Sequence, residues 1–157
     1  MIVLQFATER GFSSSLIRLG TWSEFSHVDF VVPDGYKIKN LAQERRVVGE
    51  RWLGARLRGG VSSRFPGYAP FTRTFRLRVD APDSVLDWAW RERGKPYDWR
   101  AVVGFAFRRD WREEGSWFCS EFIAAAFRAA GWPLLRADHL NRVSPADLLM
   151  SPFLKPV

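Results

Sequence analysis

The sequence predicts an α+β domain, in which an antiparallel sheet carries helices packed against it. Three observations lead there. Strand-like alternation dominates the first half, above all at residues 71–79. There Phe71, Phe75, Leu77 and Val79 alternate with Thr72, Thr74, Arg76 and Arg78. Helical periodicity marks the second half, where Phe122, Ile123, Ala126, Phe127 and Ala130 form one apolar stripe. A chain of 157 residues, 46% hydrophobic and 26% charged, suits a single globular domain with a sizeable core.

Taken in order, residues 2–7 read as a first strand. Ser13, Ser14 and Ser15 offer caps for a short helix through Leu16, Ile17 and Leu19, with Gly20 as its stop. Residues 26–32 read as a second strand. Period-two alternation puts His27, Asp29 and Val31 on one face and Val28, Phe30 and Val32 on the other. Pro33, Asp34 and Gly35 signal a turn. Residues 36–51 are highly charged and read as a hairpin tip or exposed insertion. Residues 51–57 return as a strand ended by Gly59 and Gly60, and residues 65–70 form a loop before the strand at 71–79.

Asp83 or Ser84 then caps a helix bearing Val85, Leu86, Trp88 and Ala89, with Gly94 as its stop. Residues 97–112 are aromatic, and residues 99–107 within them fit either helix or buried turn. Ser116 is the expected cap of the next helix, which puts Cys119 at its third position. Gly131 and Pro133 end that helix. Ser144, Pro145 and Asp147 then have the spacing of a capped helix start with Pro at its first position.

The formal charge is +7, carried mostly by arginine and spread along the chain rather than gathered in a tail. Such a charge suits an anionic partner, but no zinc-finger spacing or glycine-rich phosphate loop accompanies it, so the nucleic-acid signature is weak. The first residues lack a basic leader and read as a strand rather than a signal peptide. No stretch reaches the ~18 apolar residues of a membrane helix. The expectation is a cytoplasmic protein that is not integral to a membrane.

The chain has one cysteine, Cys119, and a lone thiol forms no internal disulfide. It is either a buried small hydrophobe or a reactive group. At a helix start the dipole and unpaired N–H groups favour the thiolate, the nucleophilic form of sulfur. A nucleophilic cysteine commonly works with an imidazole, and the chain has two histidines. His27 lies on the two-faced second strand, whose apolar side suits a core and whose polar side suits a cleft. His139 falls in a loop-like segment. No paired ligand spacing joins His27, His139 and Cys119, so neither a metal nor another cofactor is expected.

Four segments together resemble the circularly permuted papain-like amidases, a group related to bacterial cell-wall cysteine peptidases of the NlpC type and to lecithin–retinol acyltransferase-like proteins. They are Ser26, His27 and Val28 opening a strand; Gly94, Lys95, Pro96, Tyr97 and Asp98; Phe118, Cys119, Ser120, Glu121 and Phe122 opening a helix; and Ser144, Pro145, Ala146, Asp147 and Leu148. The resemblance spans residues 2–149 and includes the order of the parts, with the histidine strand before the cysteine helix. It implies a small antiparallel sheet facing a helix with the cysteine at its N-terminus. It also implies Cys119 as nucleophile, His27 as base, and the backbone N–H of Cys119 as an oxyanion donor. The reaction would be hydrolysis or acyl transfer at an amide or ester of a peptide, glycopeptide or lipid, for which the positive charge suits an anionic substrate.

One position departs from that pattern. The third polar residue that orients the histidine in such proteins belongs on the next strand, where this chain has Gly54. Asp29, Glu44, Glu50 or a water are the available substitutes, with Asp29 on the same strand face as His27. The departure keeps a second reading open, a catalytically weak or inactive papain-like module that binds a peptide, glycan or lipid.

Overall fold

The computed structural model describes residues 1–21, 23–39, 45–100, 115–136 and 143–157. It is an α+β structure built on a six-stranded antiparallel sheet in the order β6-β5-β2-β1-β7-β8. The strands are β1 (Ile2–Glu9), β2 (His27–Val32), β5 (Arg51–Arg56), β6 (Gly60–Arg64), β7 (Phe71–Val79) and β8 (Lys155–Pro156). β3 (Lys37–Ile38) and β4 (Arg45–Arg46) pair separately as a small antiparallel ribbon. The helices are α1 (Phe12–Thr21), α2 (Ser84–Arg91), α3 (Cys119–Ala129) and α4 (Pro145–Leu149).

Alternation along the strands divides the sheet into two chemically different faces. One carries Leu4, Phe6, Val28, Phe30, Val32, Leu53 and Leu77, and it packs into a single core with Val85, Ala89, Phe122 and Phe127 of α2 and α3. Phe30 anchors this layer, with its ring 5.9 Å from both Phe122 and Phe127. The other face is polar and aromatic. Cross-strand pairing lines up Gln5 with Asp29, Ala7 with His27 and Val31 with Trp52. Extending the β2–β5 register by one residue sets Asp29 opposite Gly54.

Several details depart from the sequence expectation. β6 begins at Gly60 itself, because Gly59 and Gly60 both adopt positive φ and turn the chain back on β5. Gly20 lies inside α1 rather than ending it. Phe71 does not join Leu77 and Val79. A register shift at Thr8 and Glu9 pairs Arg73 with Thr8 but Phe71 with Glu9. The extra residue in β7 turns Phe71 to the polar face, where its ring lies 5.6 Å from Trp52 and 5.2 Å from Tyr68.

The start of α3 is also corrected. Ser116 does not cap it. Trp117 bridges to Tyr97, Asp98 N donates to Trp117 O at 3.1 Å, and Trp117 N donates to Pro96 O at 3.1 Å. The chain therefore stays extended through Phe118 (φ −82°, ψ 153°), and Cys119 is the first helical residue. α4 begins as the sequence indicates, with Ser144 and Asp147 forming a reciprocal capping box and Pro145 at the first position. His139, Glu44 and most of the 97–112 segment lie outside the described residues.

Candidate functional site

β2 and α3 bring Cys119 and His27 together. His27 opens β2 and is nearly buried, and Cys119 is fully buried. The Cys119 Sγ–H points at the carbonyl of Ser26, 3.9 Å away, the residue just before His27. Cys119 also acts on the imidazole, where its side chain favours the protonated ring. Two contacts fix α3 in place. Phe118 O accepts the first helical bond from Phe122 N at 2.9 Å, and Ser120 Oγ donates to Val143 O at 2.6 Å. At its first position Cys119 sits among the N–H groups that a helix leaves without internal partners.

The third polar residue is on the histidine's own strand. His27 Nε2 lies 2.9 Å from Asp29 Oδ1, and Asp29 is completely buried. Gly54 makes this possible. A Cβ built there would fall 1.9 Å from Asp29 Oδ1, so the carboxylate fills the space a side chain on β5 would take. Of the other candidates, Glu44 lies outside the described residues and Glu50 is engaged elsewhere. Glu50 accepts from Trp52 Nε1 at 3.0 Å and from Arg76 Nη2 at 2.7 Å.

Sequence reasoning missed Tyr68. Its hydroxyl donates to Asp29 Oδ2 at 2.7 Å and lies 3.1 Å from His27 Nε2. Its ring packs edge-on against Trp52 and Phe71 and lies under the guanidinium groups of Arg56, 4.7 Å away, and Arg64, 5.3 Å away. Arg56 is ion-paired with Glu9, and Arg64 donates to Gly54 O at 3.2 Å. The available signal was the loop Phe65, Pro66, Gly67, Tyr68, Ala69, Pro70. Its two prolines and positive-φ Gly67 fix a tyrosine between β6 and β7.

These contacts assign the imidazole's roles. Tyr68 spends its single proton on Asp29, and a carboxylate only accepts, so Nε2 carries the proton that both oxygens meet. Nδ1 is left as the ring nitrogen for the sulfur. Burial pushes the His27 pKa down, but the Asp29 charge and hydrogen bond, reinforced by Cys119, outweigh it and raise the value to about 10. Burial pushes Asp29 up, while His27 and then the Tyr68 hydroxyl pull it down, and the net shift is downward. Burial followed by the Asp29 charge raises Tyr68, which stays a neutral donor.

The segment from Gly94 to Asp98 ties the site to the edge of the sheet. Gly94 N donates to Val61 O and Val61 N to Lys95 O, both at 2.9 Å, which seals the edge of β6. Tyr97 then bridges to Trp117, two residues before Cys119, with its ring 6.0 Å from Phe118.

No family model matches the chain, and no curated protein is significantly similar to it. Among solved structures, the fold is similar to the crystal structure of metalloprotein yiiX from Escherichia coli O157:H7, DUF1105. The TM-score is 0.70 at 19% sequence identity, covering 99% of this chain and 94% of that one. The likeness shows a shared fold along the whole chain. Among the described residues, no helix is long and apolar enough to cross a membrane.

Proposed function

We propose that the protein is a thiol-dependent hydrolase or acyltransferase of the permuted papain-like kind. The observation that carries this reading is the buried Asp29–His27 pair with Cys119 beside the ring. His27, protonated at neutral pH, would stabilise the Cys119 thiolate. The sulfur would attack an amide or ester carbonyl, and the backbone N–H of Cys119 would donate to the oxyanion. His27 would pass its proton to the leaving amine or alcohol, leaving a thioester on Cys119. The neutral imidazole would then take a proton from water or an acceptor, whose oxygen or nitrogen attacks the thioester and releases the thiolate. Asp29 and Tyr68 hold the ring through both steps.

The similar structure is described as a metalloprotein, and that property does not transfer to the residues described here. Among them, no three His, Cys, Asp or Glu side chains converge as ligands, and His27 Nε2 is spent on Asp29 and Tyr68. The chemistry proposed runs on sulfur, imidazole and carboxylate.

The complete burial of Cys119 favours a second reading, a binding module that keeps this scaffold with its thiol closed off from substrate. Iodoacetamide separates the two. An active thiol is alkylated at pH 7 faster than a model thiol, and H27A slows it about tenfold or more, as loss of an ion-pair partner requires. Labelling no faster than the model thiol and indifferent to His27 would leave the binding module.

A further inference from the structure

A concavity lies at the β6 edge of the sheet, between β4, β6 and the end of α2. It encloses about 700 Å³, within the size range of ligand sites. Its polar side chains are Arg46, Arg51, Arg93, Ser62 and Ser63, and Trp90 forms part of its apolar wall. Among the described residues, no Asp or Glu lines it.

Three observations indicate what such a groove binds. First, its positive charge is uncompensated among the described residues. Among the described residues no carboxylate is ion-paired with Arg46, Arg51 or Arg93, and the neighbouring acids are engaged elsewhere. Glu50 pairs with Arg76, and Glu92 pairs with Lys95 and accepts from Trp117 Nε1. Second, the positive charges crowd one another. Burial, and then the charge of Arg45, push the Arg93 pKa below its ordinary value. Third, the indole N–H of Trp90, a residue only 8% exposed, has no acceptor among the described residues. Buried donors ordinarily find one. Arg93 stacks over that indole at 4.3 Å and Arg51 over Phe65 at 3.6 Å, which holds both guanidinium planes.

Guanidinium groups only donate, and their forks match tetrahedral oxyanions. A single carboxylate would leave most of this charge unmet. We propose that the groove binds a phosphate-bearing ligand with at least two negative charges, whose organic remainder lies along the apolar wall formed by Val47, Val61 and Trp90. The proposal does not depend on the chemistry at Cys119.

Calorimetry with inorganic pyrophosphate and with ADP tests a soluble source. Sedimentation with phosphatidylcholine vesicles, with and without phosphatidic acid, tests a lipid headgroup. Saturable binding is expected, weakened about tenfold or more in R46A and in R93A, since charge-assisted hydrogen bonds are lost. Arg73, exposed on β7 and ion-paired with Glu24, is the control, and R73A should bind as the wild type does. Binding to phosphatidic acid vesicles alone, with the same arginine dependence, supports the site and identifies a lipid source. No binding to any probe, or binding indifferent to R46A and R93A in variants that keep the wild-type melting temperature, overturns the proposal.

Discussion

At the scale of single residues, the site depends on one carboxylate and the glycine opposite it. Asp29 reaches His27 because Gly54 leaves room, and Gly54→Ala puts a methyl 1.9 Å from Asp29 Oδ1. Overpacking of this kind costs about 1–3 kcal/mol, and here the nearest atom to move is the one that holds the imidazole. G54A should therefore lower the denaturant midpoint and slow Cys119 alkylation together. A variant that lost stability but alkylated at the wild-type rate would separate Gly54 from the histidine. Asp29→Asn keeps the shape and removes the charge, so the His27 pKa should fall well below 10 and be visible in the histidine NMR titration. Tyr68→Phe removes one hydrogen bond to a buried charge, worth about 1.5–3 kcal/mol. Y68F should therefore raise the Asp29 pKa, since that hydroxyl helps keep the carboxylate ionised, and carboxyl-carbon NMR titration reads the change. Cys119, His27 and the face shared with Asp29 were legible because alternation and residue type fix them. Tyr68 was not legible, since it reaches the site through tertiary packing of a loop and no periodicity marks that.

At the scale of elements, local rules held where a cap or turn decides the outcome and failed where two distant segments pair. The capping box of Ser144 and Asp147 is local and formed as read. Ser144→Ala should cost about 1 kcal/mol, measurable as a lower urea midpoint. The start of α3 is not local. Its N-cap, Phe118, supplies no side-chain cap, because pairing of Tyr97 with Trp117 holds the chain extended up to Cys119. The sequence favours Ser116 as a cap, and tertiary pairing overrides it by two residues. The bulge at the start of β7 is a similar case, since one extra residue turns Phe71 onto the polar face. Nothing in the alternation of residues 71–79 announces it.

At the scale of the whole molecule, the sheet separates two kinds of chemistry. Its apolar face supports α2 and α3, while its polar face buries titratable groups whose protonation is linked to folding. His27 binds its proton more tightly in the folded chain, with a pKa near 10 against an ordinary 6.5. The stability it contributes is therefore full below about pH 6.5 and is lost as pH rises toward 10. Asp29 has the opposite sign. Its depressed pKa adds stability above the ordinary carboxylate range, and that is lost in acid. Urea midpoints should fall between pH 7 and pH 9.5 in the wild type, and H27A should flatten that decline. An unchanged slope in H27A would mean that other groups set the alkaline limit. The net charge of +7 did not reveal where the charge gathers. Only the folding of β4, β6 and the end of α2 around one groove brings Arg46, Arg51 and Arg93 together.

The space between β2 and β5 admits one carboxylate, whichever strand supplies it. In any family of relatives, positions 29 and 54 should then vary as a linked pair. An acid at 29 requires glycine at 54, and a polar side chain at 54 requires a small residue at 29. Chains with bulky side chains at both positions should be absent from folded members. A sequence alignment would count such chains directly, and a natural double variant of this kind would be a historical record of the orienting group moving from one strand to its neighbour.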